Sequence, residues 1–228
     1  MKRSLPQTAV GLSLVLAPLF ALASSLVSPA FKGNAGAQLD VIAQHPDRWY
    51  WFTLLLLIGS ILLVPALLGI AALVRERSPR LGDIGGGLAV LGAVVAIGDV
   101  MSQFMSWQMV AKGADHAQMA ALLERFDTAG GVGIVFSVGG LSILIGTVLL
   151  TIGLIRSRVA PAWAAVGLTV AVVVNIAGFS ANSNAVVAVS WAVLLAAMGY
   201  IGWNVLTGGV LSRGSANLPN PQPATEAR

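Results

Sequence analysis

The residue with most chemical potential in this sequence is Asp99, a carboxylate inside a long apolar stretch. An ionised Asp at mid-helix in a bilayer costs about 2.5–3.5 kcal/mol on insertion scales. It persists there when it is protonated, paired or facing water. Ser102, Gln103 and Ser106 follow at i+3, i+4 and i+7, so on a helix the four side chains form one polar stripe. Gly92 and Val95 continue that face without polarity, so the stripe stops near the middle of the span. Asp99 is therefore expected at or slightly outside the midplane. Other apolar stretches carry Ser24, Ser25, Ser137, Asn175, Ser180 and Ser190 at similar depth. Two readings follow. If the faces converge, Asp99, Ser102, Gln103, Ser106, Asn175 and Ser180 line an outward pocket that binds or relays a proton, cation or small solute. Otherwise Asp99 is a neutral acid, hydrogen-bonded to Asn175 or Gln103, that holds helices in register.

The remaining candidates are weaker. His45 and His116 each have an aspartate nearby, Asp47 and Asp115. A zinc site would need further ligands from separate loops, so solvated loop histidines are the expectation and no metal is assigned. With no cysteine, thiolate metal sites are excluded; with no histidine inside an apolar run, a b-type haem lacks its usual axial ligands and a Ser–His protease pair has no intramembrane base. No phosphate-binding or dinucleotide fingerprint occurs in a strand–turn–helix setting. No catalytic residue and no cofactor are assigned.

These residues need helices in lipid to position them. Of 228 residues, 57% are hydrophobic and 10% charged, and the mean hydropathy is +0.85. Soluble domains carry about 25% charged residues. A helical span needs about 20 apolar residues, and six stretches qualify: 8–28, 49–74, 84–111, 131–155, 161–181 and 184–206. Their apolar residues run all round the helix. The expected fold is all-α, an integral membrane bundle of six transmembrane helices spanning residues 1–211. A polar tail over 212–228, rich in Pro, Asn, Ser and Ala, is expected to be disordered.

The basic residues give an orientation. With the amino terminus inside, Lys2, Arg3, Arg75, Arg77, Arg80, Arg156, Arg158, Arg213 and Arg228 are cytoplasmic, against Lys32, Arg48, Lys112 and Arg125 outside. This satisfies the positive-inside rule and puts both termini in the cytoplasm. The net charge of +4 reflects topology rather than nucleic-acid binding. Trp49, Tyr50, Trp51 and Phe52 read as an aromatic belt at the outer start of the second span. Arg48 reads as a snorkelling interface residue. Pro18 and Pro65 would kink their spans. The first span has a rival reading as a signal peptide cleaved after Ala21-Leu22-Ala23; its apolar run continues to Val27, which favours a retained helix.

Both long outer loops carry helix signals. In the second, Asp115 is a candidate N-cap, and Met119, Leu122, Leu123 and Phe126 fall on one face. Gln38–Asp47 aligns without gaps on Gln118–Asp127, and the basic loops that follow align after a short slip. An outer helix, a descending span, an Arg-x-Arg turn and an ascending span thus occur twice in the same direction, unlike inverted transporter repeats. Shared topology accounts for part of that likeness.

Four segments together resemble a known group: His45-Pro46, Leu63-Val64-Pro65-Ala66-Leu67-Leu68-Gly69, Arg77-Ser78-Pro79-Arg80-Leu81 and Arg156-Ser157-Arg158-Val159-Ala160-Pro161-Ala162-Trp163. They are similar to small multi-pass bacterial membrane proteins, common in actinomycetes, whose shared domain has no assigned function. The resemblance covers residues 8–206 and implies six helices in a bacterial plasma membrane. It implies no activity and no site residue. The expected role is a non-enzymatic membrane protein that binds or moves a small solute, ion or lipid at an outward pocket around Asp99. The alternative is an accessory protein that assembles with itself or a membrane partner through glycine-rich helix faces, the chain having 26 glycines. An intramembrane enzyme ranks last.

Overall fold

The structure is a computed structural model that describes residues 5–30 and 33–208. The expected tail lies outside the described residues. Within them the chain is all-helical: α1 (Leu5–Val27), α2 (Ala35–Gln44), α3 (Pro46–Arg75), α4 (Pro79–Gln108), α5 (His116–Thr128), α6 (Gly130–Ser157), α7 (Ala162–Ser180) and α8 (Asn184–Thr207). The six longer helices, α1, α3, α4, α6, α7 and α8, are long and apolar enough to cross a membrane. They match the six expected spans to within a few residues. The largest shift is in α4, which starts at Pro79, five residues early, and ends at Gln108. Proline suits the first turn of α3 and α4, where its missing N–H has no helical acceptor to lose. Pro18 and Pro65 lie inside continuous helices.

The six long helices form a closed ring. Each packs on the next in chain order, α1 on α3, α3 on α4, α4 on α6, α6 on α7 and α7 on α8, and α8 returns to α1. α3 also touches α6 across the ring. The end of the ring that carries Arg75, Arg77, Arg156 and Arg158 is the inner end by the charge asymmetry. At the inner end the Arg77 guanidinium donates to the Ser157 carbonyl, joining the two arginine turns, and Arg75 pairs with Asp83 at 3.2 Å. At the outer end α7 turns into α8 within three residues, with Asn182 in the left-handed region at φ 50°, a conformation asparagine tolerates better than most residues.

Two apolar clusters fill the ring. The inner one gathers Leu14, Leu67, Ile70, Leu150, Leu154 and Ile201, among others. One polar contact crosses it: the Thr151 hydroxyl lies 2.8 Å from the Ala165 carbonyl and 2.9 Å from the Thr169 hydroxyl, linking α6 to α7. The outer cluster is built on Trp49, with Ala21, Phe52, Leu56 and Val100 from the long helices and Leu39, Ile42 and Leu123 from the short ones. Here the expectation of an aromatic belt fails for Phe52, which is buried, and for Trp49, which is only 1% exposed. α2 and α5 pack on each other above the ends of α3, α4 and α6 and cover it. Its indole N–H, denied water, donates to the Gln103 carbonyl at 3.0 Å. Trp51 stays exposed on the ring exterior.

The short helices are capped as their sequences require. Asn34 accepts from the Ala37 amide on α2, and Asp115 accepts from the Ala117 and Gln118 amides on α5 at 2.9 and 3.1 Å. Met119 and Leu123 face the outer cluster, whereas Leu122 is exposed. The order short helix, descending helix, ascending helix occurs in α2–α3–α4 and again in α5–α6–α7.

Candidate functional site

The polar residues singled out by sequence divide into two sets. Asp99, Ser102, Gln103 and Ser106 lie on α4, which packs on α3 and α6. Asn175 and Ser180 lie on α7, which packs on α6 and α8. The two sets lie on helices that are not neighbours in the ring, and none of the six residues lines the α1–α3–α7–α8 crevice or the α4–α5–α6 groove.

In the α7 set, Asn175 donates to the Ser190 hydroxyl of α8 at 2.9 Å, and Ser190 donates to the Val187 carbonyl. Ser180 is exposed and bonds the Ile176 carbonyl of its own helix. One turn above Asn175, a crevice too narrow to admit a water molecule lies between α1, α3, α7 and α8, lined by Ser24, Ser25, Ser28, Asn184 and apolar residues including Leu56 and Trp191. The serine hydroxyls bond carbonyls of their own segment, Ala21, Leu22 and Pro29. Asn184 donates to the Pro29 carbonyl at 2.8 Å, and Arg48 donates to the Val27 carbonyl at 3.1 Å. Arg48 thus caps the carbonyl end of α1, a specific role beyond snorkelling. With its polar groups engaged, this crevice works as a clamp between helix ends.

The α4 set is different. Ser102 donates to the Asp99 backbone carbonyl at 2.6 Å, not to its carboxylate. Ser106 is buried and faces the Ser102 carbonyl at 3.4 Å. Gln103 offers its backbone carbonyl to Trp49, as described. Asp99 itself is exposed at the ring surface. It stands about 30 Å along α4 from Pro79 and about 6 Å inward of Gln103, at 1.5 Å per residue. Since Gln103 is level with the first turn of α3, Asp99 lies about one helical turn below that end of the ring.

Beside Asp99 a groove of about 400 Å³ runs between α4, the end of α5 and the start of α6. Val95 and Gly98 form one wall, Gly131, Val132, Val135 and Phe136 the other, and Phe126 closes the outer end. The groove exists because glycine lets α4 and α6 touch lower down. A Cβ on Gly92 would stand 2.6 Å from the Gly139 carbonyl oxygen and the Ile143 amide nitrogen. Further out, a Cβ on Gly98, Gly131 or Gly133 would meet nothing within 4 Å. Asp127, next to Phe126, stands close enough to Asp99 for their charges to repel. Partial burial raises the Asp127 carboxyl above the ordinary carboxylate value. Among the described residues neither carboxylate has an ion-pair partner. The sequence singles out Asp127 only as the last residue of the Gln118–Asp127 segment; its position at the junction of α5 and α6, after the apolar Phe126, was the available signal.

The histidines do not come together. His116 pairs with Asp40 at 3.1 Å, joining α5 to α2, while His45 sits at the α2–α3 junction. Among the described residues no group of three or more His, Asp or Glu side chains could hold a metal ion. No known family model, curated protein or solved structure matches the chain.

Proposed function

We propose that this protein is a binding protein of a bacterial plasma membrane that takes up a single membrane-dissolved amphiphile in the groove between α4, α5 and α6, with Asp99 as the polar anchor. The supporting observation is the groove itself: apolar walls, a mouth at the ring exterior and a carboxylate one residue from its lining. A volume of about 400 Å³ falls in the usual range for small ligands, about 300–1,000 Å³. A ligand with an apolar body and a polar end fits such a site better than a hydrated solute. Binding is favoured over transport because the inner half of the ring is packed with Leu, Ile and Ala side chains. Assembly through glycine faces draws less support, since Gly59, Gly82, Gly92 and Gly202 are spent on contacts inside the bundle.

The test is photolabelling of the full chain in phosphatidylcholine nanodiscs with dodecanol carrying a diazirine in its chain. Labelling is expected to fall within residues 95–98 and 131–136. Gly98→Leu fills the groove from a position whose Cβ has free space, and is expected to remove that labelling. Gly87→Leu, also with free space around its Cβ, retains it. Labelling spread evenly over all six long helices, or unaffected by Gly98→Leu, overturns the reading.

A further inference from the structure

The groove has a sign as well as a shape. Asp99 and Asp127 follow the lining residues Gly98 and Phe126 on different elements, α4 and α5, and stand close enough for their charges to repel. Neither has a cationic partner among the described residues; the two ion pairs there are Arg75–Asp83 and His116–Asp40. The Asp99 carboxylate also receives nothing from Ser102, whose hydroxyl is turned to the backbone. Two acids beside an apolar surface without counter-charge are costly, and a ligand cation relieves that cost. Two of the lining residues are Phe126 and Phe136, and aromatic faces attract ammonium groups. A bare metal ion would find too few oxygen ligands here. A phosphate or sulfate headgroup would add to the repulsion.

Resting on the reading that the groove holds an amphiphile, we infer that its occupant is a single-chain primary amine, with the ammonium between Asp99 and Asp127 and the chain along Val95, Gly98, Val132 and Phe136. A primary ammonium supplies three N–H donors, enough to serve both carboxylates at once. Alkylamines are protonated at neutral pH, as lysine is. The lining runs over Gly131 to Phe136 on α6, about 8 Å of helix, which suits part of one chain rather than a two-chain lipid.

The experiment is competition against the dodecanol photolabel in the same nanodiscs by three ligands of equal chain length: dodecylammonium, unlabelled dodecanol and dodecyl sulfate. Dodecylammonium is expected to compete about tenfold better than dodecanol, with dodecyl sulfate weakest. Asp99→Asn and Asp127→Asn should each bring dodecylammonium down towards dodecanol while leaving the photolabel in the groove. Equal competition by all three, or a preference for the sulfate, overturns the amine and leaves the groove reading standing. So does a preference that survives both substitutions. Failure of the photolabel to localise to residues 95–98 and 131–136 overturns the groove reading itself. Should an Asn variant fail to fold, the order of the three competitors on the unaltered chain decides.

Discussion

Asp127 carries a cost that can be titrated. Burial raises its carboxyl in the folded chain above the ordinary value of 3.8, so the folded state holds that proton more tightly than the unfolded state. By linkage, stability falls as pH rises through the window that opens at 3.8 and ends at the raised value. Above that window the folded chain carries a charge it disfavours; below 3.8 the group is protonated in both states and contributes nothing. Asp127→Asn should therefore melt higher than the parent at neutral pH, with the gap closing as pH drops below the ordinary carboxylate value. Removal of the repulsion on Asp99 acts in the same direction. The effect is small because Asp127 is partly solvated. Thermal unfolding of both chains across that range measures it, and a gap independent of pH would refute the assignment. Asp99 was visible in the sequence because a carboxylate stands out in an apolar run. Asp127 was not, because its significance lies in a neighbour 28 positions away, and spacing along one helix carries no information about the next. Trp49 shows the same limit: an indole at a helix start reads as interfacial, and only the cover supplied by α2 and α5 makes it buried.

Elements were far more legible than sites. Runs of twenty apolar residues can be little else than helices in lipid, and capping residues such as Asp115 mark where a short helix begins. What the runs do not reveal is which glycines touch a neighbour. Gly92 and Gly98 lie on the same helix, yet a Cβ on Gly92 meets backbone atoms of α6 at 2.6 Å while one on Gly98 meets open space. Helices that cross diverge, and the point of closest approach is a tertiary property. Gly92→Ala should then destabilise the protein by about 1–3 kcal/mol, because backbone cannot yield to an added methyl group as a side-chain end can. Gly98→Ala should be neutral or slightly stabilising, since alanine is the better helix former by about 1 kcal/mol. Thermal or denaturant unfolding in detergent distinguishes the two. Equal effects would mean that α4 and α6 do not meet where Gly92 lies. The same divergence links packing to binding, for the splay that spares Gly98 also opens the groove beside Asp99.

At the scale of the molecule, five of the six ring contacts join helices that follow one another in sequence, and the sixth brings α8 back to α1. The pairs α3–α4, α6–α7 and α7–α8 are joined by short turns, α1–α3 and α4–α6 by the longer segments that carry α2 and α5, and closing such segments costs little more entropy than closing a turn. The closing contact is the non-local step, and it was not legible because no local pattern specifies it. It rests on close approach: a Cβ on Gly202 would stand 2.9 Å from the Gly11 carbonyl oxygen and 2.8 Å from the Leu14 Cβ. At the outer end Asn184 fastens it through the Pro29 carbonyl. A closed ring keeps the inner cluster buried, and in the proposed reading that leaves the outer flank as the place for a ligand. The chain has no native cysteine, so nitroxide labels at Leu12→Cys and Trp203→Cys, both exposed positions on α1 and α8, report on closure alone. A single narrow distance distribution is expected between them by double electron–electron resonance. Gly202→Leu should lengthen and broaden it, while Gly87→Leu, far from that seam, should leave it unchanged. An identical distribution in Gly202→Leu would mean that the ring is held shut by other contacts, and the seam between the first and last helices would lose its assigned role.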